Sequence, residues 1–340
     1  QASTQEEAEK EFDQIINGIK ALVKRERAGV MTFRDAVLRY IDEVEKRSMD
    51  RDLVTFDLVD PYIGDLLVDR IDNSSLKQFF DDRRAKGIKN GTLERDLAAI
   101  KVVLKYVEKK CRNLDGEPYI KHPVELNFSW EDDSSIPYPL GGEELKKLLE
   151  FLPLYLRVMA IFAVNTGVRD QNICGLKWEW EVKVPSLNTS VFIIPDEGGG
   201  FDGDLVKLNT TKNKLDQLVV MNENVREVVE MQRGLHEVYV FPYNGKRLGR
   251  MHTTSWKTAW KKAGLPMDKK YIRGPHNLKH TFGWRLSEAK LPLDVRKKLL
   301  HHKNGDVTIH YSPAGVSELI DAVEKIAGND HADIIRLGVI

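Results

Sequence analysis

The decisive stretch is Pro275-His276-Asn277-Leu278-Lys279-His280-Thr281-Phe282, followed by Leu300-His301-His302-Lys303 and then by Ile309-His310-Tyr311-Ser312. Tyr311 stands nine residues beyond His302, downstream of a cluster of imidazoles and cations. A tyrosine in such company is suited to attack the phosphorus of a phosphodiester. Positive charge lowers the cost of forming the phenolate, whose ordinary pKa is about 10. Fixed cations take up charge developing on the nonbridging oxygens, and a proton donor serves the leaving oxygen. The phosphotyrosine ester keeps the bond energy, so another hydroxyl can reseal the strand without ATP.

Working outward, Thr166-Gly167-Val168-Arg169 supplies a further cation at a predicted helix end. Thr210-Thr211-Lys212-Asn213 places a lysine between two runs of strand pattern, Leu205–Leu208 and Leu218–Met221. Taken singly, each of these residues also has an ordinary structural explanation. Arg169 can cap a helix, Lys212 can be an exposed hairpin lysine, and His276, His302 and Tyr311 can be satisfied packing residues. Their joint order is what carries information.

Net charge is zero, with 52 Lys and Arg against 52 Asp and Glu, which taken globally argues against a nucleic-acid partner. The distribution is uneven, however. From Lys269 to Lys303 there are ten basic residues against two acids, Glu288 and Asp294. The acids gather at Glu6–Glu11, Asp50–Asp60 and Glu131–Asp133. A segregated basic face can bind phosphates on a neutral molecule, although a solvated helix face gives the same run of charge. Two cysteines, Cys111 and Cys174, argue against a disulfide framework, leave no Cys-rich zinc site and fit a reducing cytosol. No run of 18 apolar residues is present, so no membrane span is expected. Gln1–Gln5 lacks the pattern of a secretory signal, and a cytoplasmic location is expected.

The length allows two domains with proper cores. Apolar spacing predicts helices at 5–26, from Val37, at Asp72–Ala85 and at Thr92–Glu108, with Thr32 and Asp35 forming a cap. Lys121–Leu140, rich in Pro, Asp and Ser, reads as an extended linker. Helices at Glu143–Leu152 and Leu156–Thr166 open a second domain. A strand pattern then covers 190–221, and the chain is helical in pattern from Asn224 onward. The acidic, glycine-rich Asp196–Gly203 loop lacks the Gly-Lys-Ser/Thr ending of a phosphate cradle and reads as a connection. A final stripe of Val316, Leu319, Ile320, Val323 and Ile326 either docks on its own core or enters a neighbour, and the residues alone favour the first.

In that order the motifs resemble those of the tyrosine recombinase, or phage integrase, family. Thr166–Arg169 with Gly175-Leu176-Lys177-Trp178 is similar to the first arginine motif, Thr210–Asn213 to the hairpin lysine, and Pro275–Phe282 to the His-x-x-Arg box. Leu300–Lys303 and Ile309–Ser312 resemble the last histidine and the nucleophile. The resemblance implies a mainly α fold with a small antiparallel β-sheet, in which a helical core-binding domain accompanies a mixed α/β catalytic domain. The expected layout is an N-terminal helical extension over 1–30, a core-binding domain over 31–127, a linker over 128–140, a catalytic domain over 141–328 and a tail over 329–340. The implied activity is site-specific cleavage and rejoining of double-stranded DNA through a 3′-phosphotyrosine, with no metal and no other cofactor. Tyr311 would attack, Arg169 and Lys279 hold the nonbridging oxygens, and Lys212 protonate the 5′-oxygen. His276 would assist proton transfer and His302 bind the scissile phosphate. Partners implied are DNA, other copies in a homotetramer that exchange the C-terminal helix, and accessory DNA-bending factors. The residues leave open whether helix 5–26 reads an arm site, links or packs.

Two positions depart from the family. Lysine stands at 279 where the family has arginine, which keeps the charge but loses the planar fork. His301 stands where glycine is usual. Lys279 supports one alternative, a DNA-binding architectural relative with a decayed site, and a type IB topoisomerase, which shares the chemistry but relaxes DNA without exchanging partners, is another. A Ser-His hydrolase lacks the Gly-x-Ser-x-Gly pattern.

Overall fold

The computed structural model describes residues 5–46, 48–195, 216–301 and 313–327. The chain divides between Ser134 and Ser135 into two compact units. The first contains α1 (Gln5–Arg27), α2 (Phe33–Glu43), α3 (Met49–Ile63), α4 (Asn73–Ala85) and α5 (Asn90–Lys110). α1 stops just before Gly29, whose φ of 66° suits glycine. Its last turn is tied to α2 by a 2.7 Å pair between Arg25 and Asp35. α2 starts on the expected cap. Asp35 N–H donates to Thr32 Oγ1 and Thr32 N–H donates to the Asp35 carboxylate, both at 3.2 Å.

Sequence pattern does not predict α3, because its acids interrupt the apolar stripe. Phe56, Val59 and Ile63 are nevertheless buried. The polar Thr55 on the same helix is satisfied by a 3.0 Å bond to Asp96, which also pairs with Arg83 at 2.9 Å. The core centres on Phe33, Leu76, Phe79, Phe80, Leu93 and Ile100. The stretch expected as a linker is packed at both ends. Phe128 and Trp130 sit 4.7 and 5.1 Å from the Phe80 ring, because two large aromatic surfaces are better buried than solvated. Ile136 and Leu140 belong to the second unit, where Ile136 N–H donates to Lys270 O at 2.6 Å and Leu140 is buried.

The second unit runs α6 (Gly142–Phe151), α7 (Leu154–Thr166), α8 (Asp170–Cys174), β1 (Glu181–Val184), β2 (Thr189–Ile194), β3 (Gln217–Val219), α9 (Glu223–Gln232), β4 (Pro242–Tyr243), β5 (Lys246–Arg247), α10 (Thr254–Lys262), α11 (His276–Glu288), α12 (Leu293–Leu299) and α13 (Pro313–Glu324). α7 is apolar on nearly every side and lies in the centre of the core. β1, β2 and β3 form an antiparallel sheet, with Glu181 opposite Phe192 and Phe192 opposite Val219. The expected strand Leu205–Leu208 and the Asp196–Gly203 loop lie outside the described residues. The helical expectation after Asn224 is corrected at β4–β5. Asn244 and Gly245 take φ of 50° and 69°, the two-residue hairpin turn that an Asn-Gly pair favours.

α13 packs on its own unit. Val316, Leu319, Val323 and Ile326 are buried against Leu286, Leu291, Val295 and Leu299, with Val191 of β2 and Val220 just after β3. Each such aliphatic contributes roughly 1.5–3 kcal/mol. The expected tail 329–340 lies outside the described residues. The fold is therefore mainly α with a small antiparallel sheet. Among the described residues no helix is long and apolar enough to cross a membrane.

Candidate active site

The first arginine segment depends on how α7 ends. Gly167 adopts φ 65°, and a Cβ there would lie 2.4 Å from Cδ1 of Phe282. A left-handed backbone and an aromatic ring at contact distance both demand glycine. The turn releases Val168 into the core and leaves exposed Arg169 at the N-cap of α8.

α11 carries the next group. His276, Lys279 and His280 fall at i, i+3 and i+4 and share one face. The incoming chain holds another part of the helix. Tyr138 N–H donates to Asn277 Oδ1 at 2.8 Å, Asn277 Nδ2 donates back to Tyr138 O, and Leu140 N–H donates to Thr281 Oγ1 at 3.0 Å. Lys279 is only 9% exposed. Its ammonium donates to Gly167 O at 2.9 Å and to Leu300 O at 2.8 Å. Lys279 thus ties the Arg169 turn, α11 and the end of α12 together. Burial, with Arg169 nearby, pulls its pKa down to about 8.

The His276 and His280 rings meet edge to face at 4.9 Å. Partial burial, then Lys279 and Arg169, lower the pKa of His276, while Asp170 opposes the shift. His280 is lowered by burial, by His276 and by Lys279. Both imidazoles are therefore disposed to be neutral at physiological pH and able to accept a proton. His252 is lowered by partial burial and by Lys257, Arg250 and Arg273, while Asp170 opposes the shift, so three cations and one carboxylate lie near this imidazole.

Of the six residues expected in the site, Arg169, His276 and Lys279 are brought together. Lys212, His302 and Tyr311 lie outside the described residues. Their segments adjoin described positions. Asn172 of α8 donates at 3.2 Å to Gln217, where β3 begins after Lys212. Leu300, held by Lys279, precedes His302, and α13 begins directly after Ser312. His301 takes φ 54°, which explains why glycine suits that position and shows that a histidine adopts it here. Sequence reading left Asp170, His280 and His252 without roles. Asp170 and His280 stand beside quoted motif residues, whereas nothing in the sequence marks His252. Among the described residues no group of three or more His, Cys, Asp or Glu side chains is placed to hold a metal ion.

Comparison with known proteins follows the same lines. The integrase of Salmonella phage P22 is 23% identical over 245 residues, covering 68% of this chain and 56% of that protein. A tyrosine recombinase XerC-like protein of Caldanaerobacter subterraneus is 25% identical over 214 residues, 55% of this chain and 53% of that protein. The chain thus spans about half the length of these two curated relatives. The tyrosine recombinase XerA of Thermococcus kodakarensis is 22% identical over 262 residues, 74% of this chain and 80% of that protein. In fold, the chain is similar to the Tn1549 transposon integrase in complex with a circular intermediate DNA. The TM-score is 0.60 at 17% identity, over 86% of this chain and 94% of that one. It is also similar to a lambda integrase dimer bound to a core site, with a TM-score of 0.54 at 13% identity, over 88% and 97% of the two chains. Residues 140–316, just over half of the sequence, match the phage integrase family, and the chain belongs to that family.

Proposed function

We propose that this protein is a site-specific DNA recombinase that breaks and rejoins strands through a covalent phosphotyrosine. The observation that carries the reading is the gathering of Arg169, His276 and Lys279 by the two bonds from Lys279 to Gly167 O and Leu300 O. Names of relatives point the same way: integrases and tyrosine recombinases, with solved neighbours bound to DNA.

In this reading the Tyr311 phenolic oxygen bonds to phosphorus and the bond to O5′ breaks. Lys212 supplies the proton that the departing O5′ takes. Arg169 and Lys279 neutralise the nonbridging oxygens, since Lys279 has a third proton beyond the two given to carbonyls. His276 takes the phenolic proton, and His302 donates to the scissile phosphate. The reverse attack by a DNA hydroxyl releases Tyr311 and reseals the strand. No cofactor is required by these steps. Residues 31–127 serve as the core-binding domain and 141–328 as the catalytic domain, and each binds double-stranded DNA. A homotetramer forms on DNA, in which α13 leaves its own seat for a neighbour's, and DNA-bending factors assist.

The buried, carbonyl-bound state of Lys279 favours one competing reading, a DNA-binding relative that no longer cleaves. The test is incubation with a nicked, randomised duplex library, denaturation and sequencing of DNA retained on protein. Recombinase activity predicts captured fragments sharing a sequence, none of them retained by Tyr311→Phe. Bound but never retained DNA supports the non-cleaving relative.

A further inference from the structure

The C-terminal end of α13 is received by a set of polar side chains to which no role has been given. Arg285, on α11, donates at 3.0 Å to Val164 O and at 3.2 Å to Asn165 Oδ1, both on α7. Its other terminal nitrogen donates to Ile326 O, just past α13. Asn222, fully buried, donates at 3.1 Å to the same Asn165 oxygen and at 3.3 Å to Val323 O. Asn224 donates to Ala327 O. Arg226 pairs with Glu324 at 2.6 Å, and the Glu223 N–H meets the other oxygen of that carboxylate at 3.2 Å.

A helix end leaves its last carbonyls without intrahelical donors. Here Val323, Ile326 and Ala327 each find a side-chain donor from α11 or from the segment that starts α9. The links form a closed ring: Val323 O, Asn222, Asn165, Arg285 and Ile326 O. Asn165 itself is fully buried and donates back to Ile161 O at 2.9 Å. Burial pulls the Arg285 guanidinium down to about 10, with Glu288 opposing, so this cation is poorly solvated. The guanidinium offers a planar fork whose two terminal nitrogens point to α7 and to the residue past α13, whereas a lysine at 285 would have a single nitrogen for both.

The position of Arg285 matters as much as its bonds. It lies on the helix that carries His276 and Lys279, and it grips the last turn of α7, which runs directly into Gly167 and Arg169. We propose that Arg285 is a positioning residue that links the seat of the C-terminal helix to the Arg169 turn, so that a helix end in the seat adds to the hold that Lys279 already has on that turn. This rests on the recombinase reading for its consequence, not for its geometry. Loss of α13 from the seat removes Ile326 O and Val323 O together. Arg285 and Asn222 then lose fixed partners, and Asn165 loses the two donors that hold it.

Hydrogen exchange on the full chain without DNA tests this, using Arg285→Lys, Arg285→Met and Asn222→Ala. Each is expected to speed exchange of the amides at 164–169 and at 320–327 together, by about tenfold for the Arg285 variants, the scale of one lost charged hydrogen bond, and by roughly fivefold for Asn222→Ala, which loses neutral ones. Exchange elsewhere in the second unit stays as in wild type. Arg285→Lys keeps the charge and the fold, so it guards against simple unfolding of the Met variant, and it is expected not to restore the link. In a single-turnover assay of covalent DNA adduct, Arg285→Lys lowers the rate about tenfold with DNA affinity unchanged. Acceleration confined to one of the two segments, or spread evenly through the unit, overturns the proposal. If the wild type never forms an adduct, the recombinase reading falls, while the exchange pattern still decides the role of Arg285.

Discussion

Replacing Lys279 by arginine tests the geometry of the site through its protonation. Lys279 is 9% exposed and its pKa falls from 10.5 to about 8. At 1.36 kcal/mol per unit, the charged form is disfavoured in the fold by roughly 3 kcal/mol. The sign follows from proton counts. Between pH 8 and 10.5 the unfolded chain still holds this proton and the folded chain has lost it, so stability rises with pH across that window. Below it the penalty is constant, and above it the penalty is gone. A guanidinium stays charged throughout, so Lys279→Arg shows no such rise. Other titrations are common to both proteins and cancel in the difference. Urea unfolding from about pH 7.5 to 10.5 should therefore show wild type gaining roughly 3 kcal/mol over Lys279→Arg. Parallel curves would refute the buried, carbonyl-bound ammonium. The arginine variant should still cleave DNA near neutral pH, because the charge is retained.

Gly167→Ala combines a left-handed residue with a Cβ at 2.4 Å from the Phe282 ring. It should cost about 3 kcal/mol, lowering Tm by roughly 6–12 °C in calorimetry, and Phe282→Leu should recover part of the loss. No recovery would mean that the ring contact is not the cause. In the first unit, Asp96→Ala strips Arg83 of a partner 2.9 Å away in a site where the two are 15% and 4% exposed. The expected loss in urea unfolding is about 3 kcal/mol, and a loss under about 1 kcal/mol would count against a buried pair. His276 should titrate below 6.5 by NMR, since partial burial, Lys279 and Arg169 lower it. Asp170→Asn should lower it further by removing the one opposing charge. A rise in that variant would reverse the electrostatic assignment.

What the sequence made legible was local and ordered along the chain. The Thr32–Asp35 cap and the apolar α7 are determined by neighbours in sequence, so their residues announce them, and the Gly167 turn is announced by its glycine although the Phe282 ring against it is not. α3 was hidden because Thr55 and the acids around it obscure the apolar stripe, and the Thr55–Asp96 bond joins residues far apart in the chain. The β4–β5 hairpin carried its Asn244-Gly245 signal but is too short for periodicity to register. In the site, residue types and order pointed to Arg169, His276 and Lys279. The bonds of Lys279 to Gly167 O and Leu300 O were beyond reach, because sequence says nothing about which carbonyls converge on an ammonium. The Arg285 ring was invisible for the same reason. Its members come from four separated segments and match no motif.

The central claim is that Tyr311 is the group that becomes joined to DNA. Protein trapped on a nicked duplex should be digested with protease and nuclease, and the peptide bearing a nucleotide remnant sequenced by mass spectrometry. The account predicts a 3′-phosphate linkage on Tyr311 and no linked peptide from Tyr311→Phe. A remnant on any other side chain, or equal trapping by the phenylalanine variant, would contradict it.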